Sequence, residues 1–146
     1  MLISSKGRYA LRVMLDLAEN SQGEFIPLKD ITERQNISKK YLESIMTMLS
    51  KSGFVEAMHG KGGGYRLSKE PKEYKVGDIL RLTEGTLAPV MCLEENAKVC
   101  EKADICKTLP LWTGLNNVIS EYLDNISLED ILLKSEKIHC NKGVQE

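Results

Sequence analysis

Cys92, Cys100 and Cys106 stand within one fifteen-residue stretch, CLEENAKVCEKADIC. Their neighbours are charged and polar, whereas cysteines that only fill a core sit in apolar surroundings. Thiolates at this density bind metals or undergo redox chemistry. The Cys-x7-Cys-x5-Cys spacing is not the tight C-x2-C knuckle of a zinc site. Longer gaps let a loop wrap around something larger than one ion, and iron–sulfur clusters are held by cysteine thiolates, generally with four protein ligands. Three ligands from one loop and one from elsewhere is such an arrangement. Three unlinked thiols is the alternative that spacing alone leaves open.

That chemistry needs a compartment where thiols stay reduced. The opening MLISSKGRYALRV has no long apolar stretch behind its basic residues, so no signal peptide is expected. No run approaches the roughly 20 apolar residues of a membrane helix. A cytoplasmic protein without a membrane partner or a disulfide framework is therefore expected. With 146 residues, 42% hydrophobic and 28% charged, the chain suits one domain, or one small domain with an added helix.

Charge is unevenly spread. Residues 1–69 hold 11 Lys/Arg against 7 Asp/Glu, and residues 70–146 hold 9 against 14. A basic half beside an acidic half suggests that one part meets a polyanion and the other does not.

The elements that position these groups follow from periodicity. Segment 6–20 carries Ala10, Met14, Leu17 and Ala18 at helical spacing. Pro27 opens a short second helix, PLKDITERQ, and Asn36 suits a sharp turn. Ser38 is an N-cap for a third helix, KKYLESIMTMLSKS, stopped by Gly53, with Leu42, Ile45, Met46 and Leu49 facing inward. FVEAM, HGKGGG and YRL read as two short strands joined at a glycine-rich tip. KVGDILRLTEG is a fourth helix ended by Gly85. Residues 86–110, with Pro89, Pro110 and the cysteines, read as a loop with room for a short helix. Helical spacing returns from Leu111 through Leu115, Ile119, Tyr122 and Ile126, and SLEDILLKSE is a short last helix before a frayed tail, IHCNKGVQE.

The expected fold is mostly α with a small β-hairpin. Residues 1–85 form a winged helix–turn–helix, 86–110 a cysteine-bearing loop, and 111–146 a long C-terminal helix and tail, whose Leu115, Ile119, Tyr122 and Ile126 make more apolar surface than one small domain easily buries. Winged helix–turn–helix domains push the start of their third helix into the major groove of double-stranded DNA. Here that end shows Ser38, Lys39, Lys40, Tyr41 and Glu43. Lysines meet phosphate or guanine, and a glutamate accepts from a cytosine amino group. At the hairpin tip His59 and Lys61 supply positive charge, while Gly62 and Gly63 let backbone approach a phosphate; the bland alternative is glycines that merely make a turn. KGGGY lacks the spacing of a nucleotide phosphate loop.

LISSKGRYALRVMLDLA, PLKDITERQNISKKYLESIM, GKGGGYRLSK and VGDILRLTEG resemble the Rrf2 family of bacterial transcription regulators, over roughly residues 1–133. The resemblance implies a homodimer on an approximately palindromic operator, with the third helix in the major groove and the wing in the minor groove. It implies that residues 111–126 form the dimer helix. It also implies that Cys92, Cys100 and Cys106 hold an iron–sulfur cluster, 2Fe–2S in preference to 4Fe–4S, whose state modulates promoter binding. Tyr41 and Glu43 match family positions. Lys40 replaces a serine of one member, and His59 stands where an arginine commonly enters the minor groove. Leu109 stands where one cluster-binding member uses a histidine ligand, and Arg8 where another uses an aspartate. The fourth ligand is open among Cys140, His139, Glu94, Glu95, Glu101 and Asp104, with backbone or water as further alternatives.

Two rivals remain. One is a family repressor without a cluster, acting as a thiol redox switch or through a metabolic enzyme or small-molecule effector. The other is an enzyme, and it is not expected: the two histidines, His59 and His139, have no paired acid nearby in sequence, and no G-x-S-x-G elbow occurs.

Overall fold

A computed structural model describes residues 2–141, with side chains described through residue 135. Helices α1 (Ser5–Asn20), α2 (Leu28–Gln35) and α3 (Lys39–Lys51) precede a hairpin of β1 (Val55–Met58) and β2 (Gly64–Leu67). Helices α4 (Val76–Glu84), α5 (Leu109–Asp124) and α6 (Leu128–Asn141) follow. Short 3-10 turns lie at Pro71–Glu73, Met91–Leu93 and Ala103–Ile105. No helix is long and apolar enough to cross a membrane, among the described residues.

The helix–turn–helix forms because its start and stop residues agree with its apolar faces. Ser4 caps α1, its hydroxyl accepting from Gly7 N at 3.1 Å. Pro27 caps α2 instead of forming its first turn, and Asn36 ends that helix in the left-handed region at φ 52°. Ser38 caps α3 by accepting from Tyr41 N at 3.4 Å. Leu42, Ile45, Met46 and Leu49 are fully buried against Ala10, Val13, Met14, Leu17 and Ile31. Burying each large side chain contributes about 1.5–3 kcal/mol, so this face fixes α3 on α1.

The hairpin is antiparallel, with Val55 opposite Leu67 and Met58 opposite Gly64. It is not isolated. Ile26 and Tyr65 exchange backbone hydrogen bonds of 2.8 and 2.9 Å, so the segment entering α2 acts as a third short strand. Tyr74, 2% exposed, anchors the far end: its hydroxyl donates to Phe54 O at 2.7 Å and accepts from Lys69 N at 2.9 Å. Burial raises the pKa of that phenol, keeping it a donor.

The second half packs as its own small cluster. Val76, Leu80 and Leu87 are covered by Ile3, Leu11, Ile119, Leu123, Ile126 and Ile131. The α5–α6 junction pairs like a strand with the residues before α4: Val76 N donates to Ile126 O at 2.9 Å and Leu128 N to Tyr74 O at 3.1 Å. Ser127 and Asp130 form the N-terminal box of α6, Ser127 N reaching Asp130 Oδ2 at 2.8 Å and Asp130 N reaching Ser127 Oγ at 3.1 Å. The Ser127 N–H and hydroxyl, both donating to the Asp130 carboxyl, hold it below the usual carboxylate range.

Three expectations need correction. Helix α5 begins at Leu109, with Pro110 in its first turn; there the missing N–H costs nothing, so this proline starts a helix and does not belong to the loop. Helix α6 extends to Asn141, beyond the expected short segment, while residues 142–146 of the tail lie outside the described residues. The apolar stripe of α5 also divides. Ile119 and Ile126 pack inside the protein's own cluster with Leu123, whereas Leu111, Leu115, Val118 and Tyr122 point outward.

Candidate nucleic-acid interface and cysteine loop

At the start of α3, Ser38, Lys39, Lys40 and Glu43 are exposed. Lys39 Nζ lies 3.9 Å from Glu43 Oε1, one helical turn on. The spacing i, i+4 was the available signal for that pair. It is solvent-exposed on both sides and therefore weak, so Glu43 is held near the helix surface without being locked there. Tyr41 is half-buried, its ring meeting Tyr9 edge-on with centroids 5.7 Å apart. It braces the helix against α1 as well as bordering the exposed face.

His59, Lys61 and Gly62 are exposed at the wing tip, with Gly63 half-buried. Gly62 adopts φ 76°, which a side chain disfavours. Gly63 donates to Gly60 O at 3.0 Å, and a β-carbon on it would collide with the Met58 carbonyl. These two glycines are required by the turn itself. Arg66 stiffens the wing: it pairs with Glu56 at 2.7 Å, donates to Gly23 O at 3.0 Å and lies 4.4 Å from the Phe25 ring centre.

The cysteine loop connects α4 to α5. Cys92 begins where the Met91–Leu93 turn lies, Cys100 follows in irregular chain, and Cys106 immediately follows the Ala103–Ile105 turn. All three are free thiols; Cys92 and Cys100 are exposed and Cys106 is partly covered. Cys106 Sγ lies 3.5 Å from Thr108 Oγ1. That hydroxyl, with the backbone N–H groups of Thr108 and Leu109 at the start of α5, lowers its pKa and favours the thiolate. Thiolates are the form that ligates iron, so the donor chemistry fits a cluster. The structure does not gather the three, however: among the described residues no group of three or more Cys, His, Asp or Glu side chains stands close enough to hold a metal ion.

Of the fourth-ligand candidates, Glu94, Glu95, Glu101 and Asp104 are exposed on the loop. His139 and Cys140 lie outside the residues whose side chains are described. Leu109 is in the first turn of α5 and Arg8 is exposed on α1, where its guanidinium donates to Ser5 Oγ at 3.0 Å. A cleft of about 440 Å³ separates the loop from the body, lined by Arg81 and Glu84 of α4, Glu94 and Glu95 of the loop, and Asn116 and Ser120 of α5.

Sequence reasoning missed a second polar cluster, Asp16 with Arg34, Gln35 and Arg12. Its signal was an acid inside the apolar run VMLDLA.

A winged helix–turn–helix with an exposed third helix and wing defines a DNA-binding regulator. The Rrf2 family model, described as an iron-dependent transcriptional regulator, matches residues 3–134. The chain is 38% identical over 139 residues to the HTH-type transcriptional regulator IscR of Pectobacterium atrosepticum, covering 95% of this chain and 84% of that one. Its structure is similar to that of T. potens IscR, with a TM-score of 0.73 and 36% identity over 94% of this chain and 90% of that one. It is also similar to CymR, the global cysteine regulator of B. subtilis, with a TM-score of 0.72 and 35% identity over 90% and 95%. The chain belongs to the Rrf2 family of transcription regulators. These relatives are regulators and not enzymes, and so is this protein.

Proposed function

We propose that the protein acts in the cytoplasm as a homodimer on an approximately palindromic operator. Ser38, Lys39, Lys40, Tyr41 and Glu43 meet the major groove, and His59, Lys61, Gly62 and Gly63 the minor groove. An iron–sulfur cluster, 2Fe–2S by preference, is held by Cys92, Cys100 and Cys106 and modulates promoter affinity. The observation that carries this reading is the placement of three free thiols on the covalent connection between the DNA-binding head and α5.

The outward residues Leu111, Leu115, Val118 and Tyr122 support α5 as the dimer contact, since a row of exposed apolar groups on one helix marks an association surface. When bound, the cluster would supply a redox-active centre held by the Cys92, Cys100 and Cys106 thiolates. The chain does the rest. Gathering the thiols changes how residues 92–106 pass from α4 to α5, and so the separation of the two recognition helices. A coupling of about 1–3 kcal/mol, or 5–150-fold in affinity, is the usual range for such a device.

A second reading is favoured by the exposure of the thiols in the absence of a gathered site. In that reading Cys92, Cys100 and Cys106 are oxidised directly by peroxide to sulfenate or a disulfide, or the loop and acidic half engage a metabolic enzyme. One experiment separates the two: an absorption spectrum with iron and sulfide assays on protein purified without oxygen. Visible absorption with both elements supports the cluster. A colourless, iron-free preparation after anaerobic reconstitution supports the thiol switch.

A further inference from the structure

Asp16 is 3% exposed, a carboxylate inside the face of α1 that carries Val13 and Leu17. It accepts three hydrogen bonds, all from the last turn of α2. Arg34 Nε reaches Oδ2 at 3.0 Å, Arg34 Nη2 reaches Oδ1 at 2.7 Å, and Gln35 Nε2 reaches Oδ2 at 2.8 Å. Gln35 is itself held from the other side: Arg12 Nε donates to its side-chain oxygen at 3.1 Å and Arg12 Nη2 to its carbonyl at 2.6 Å. Arg12 lies 5.2 Å from the ring centre of Tyr9, which meets Tyr41 of α3. The contacts close a ring through α1, the end of α2 and the start of α3.

Asp16 is buried while the Arg34 side chain is 37% exposed, and an ion pair desolvated on one side is seldom worth more than apolar residues of the same volume. What it supplies is direction, because bidentate guanidinium–carboxylate bonds fix both distance and angle. Helix α2 needs that. It has eight residues, and its apolar contacts with the core, buried Ile31 and half-buried Leu28, both lie in its first half, so apolar packing leaves the last turn without an anchor. The Asp16 bonds pin a second point, one residue before the left-handed Asn36 that turns the chain into α3.

We propose that Asp16 is a positioning residue for sequence recognition: by holding Arg34 and Gln35 it sets the angle at which the α2–α3 turn presents Tyr41 and Glu43 to base edges. The inference rests on the DNA-reading function above. Losing the clamp leaves the phosphate-binding charges in place, so specific binding falls and non-specific binding does not.

The test first selects duplexes with the wild-type protein from a random-sequence pool, then compares affinity for a selected duplex and its shuffled counterpart at several salt concentrations. Asp16→Asn should reduce the selected-to-shuffled ratio about tenfold, the scale of one misread base pair, with the salt slope unchanged. Gln35→Ala, which spares the Asp16–Arg34 pair, should reduce it by less, and serves if the first variant does not fold. Ile31→Val, which weakens the same helix without touching the clamp, should lower the melting temperature and leave the ratio alone. Variants at Asp16 and Gln35 that lose melting temperature yet keep the wild-type ratio overturn the proposal. A wild-type protein that selects no sequence overturns the DNA-reading function itself, before any variant is made.

Discussion

Arg81 of α4 and Asp124 at the end of α5 meet as a two-point ion pair, Nη1 to Oδ1 at 2.6 Å and Nη2 to Oδ2 at 2.9 Å. With the backbone bonds between residues 74–76 and 126–128, it joins the helix that follows the cysteine loop to the DNA-binding head. The joint fixes α5 on the head beside the loop that runs between them.

The joint titrates. Hydrogen bonding to Arg81 holds the Asp124 carboxyl below the usual carboxylate range. Its contribution is therefore complete above the pKa of an unfolded aspartate and is lost as pH falls through the folded-state value. Both side chains are more than a third exposed, which limits the pair to about 1 kcal/mol. Asp124→Asn should cost that much in urea unfolding at neutral pH, and the gap from wild type should close on acidification.

Gly77 makes a sharper test of the same joint. A β-carbon there would run into the Asp124 carboxylate and crowd Arg81. Alanine gains about 1 kcal/mol of helix propensity over glycine, but overpacking of about 1–3 kcal/mol opposes it. Gly77→Ala should lower the melting temperature despite the better helix former. Combined with Asp124→Asn it should cost less than the two single changes added together, because both break one contact.

The divided face of α5 predicts two different failures. Val118, 62% exposed, should tolerate glutamate in the monomer, so Val118→Glu should dissociate the proposed dimer in sedimentation while circular dichroism is unchanged. Ile119→Ala should instead lower thermal stability, since that side chain packs against the cluster of Val76, Leu80 and Leu87.

Recognition and electrostatics should separate at α3. Lys40→Ala is expected to weaken all duplexes alike and reduce the salt slope by about one. Glu43→Ala should relax preference at one base position by about 1–3 kcal/mol with no loss of salt slope. Anisotropy titrations on single-base variants of a selected duplex read both.

Much of the head was legible because each element carried its own punctuation. Ser38, Asn36, Gly53 and Gly85 mark helix ends through local backbone chemistry, and Leu42, Ile45, Met46 and Leu49 mark a buried face through spacing alone. What escaped depended on partners far along the chain. The pairing of Ile26 with Tyr65, the clamp of Asp16 on Arg34 and the fit of Gly77 beneath Asp124 have no periodic signature. Pro110 was misread because proline breaks a helix interior but suits a first turn, and only the helix on its far side shows which applies. Cysteine spacing marked the loop as a candidate ligand-bearing segment, yet it does not encode the arrangement of the three thiols in space. Nor could it show that Ile119 and Ile126 would turn inward while Val118 and Tyr122 stayed outside.

The most direct test is a DNA-binding isotherm on a single oxygen-free preparation, read before and after its iron is removed by chelation, with Cys106→Ala carried alongside. The account predicts that removing iron shifts wild-type affinity by about 5–150-fold, and that the variant, iron-poor from the start, shows no shift. Superimposable wild-type isotherms from a preparation that did contain iron would contradict it.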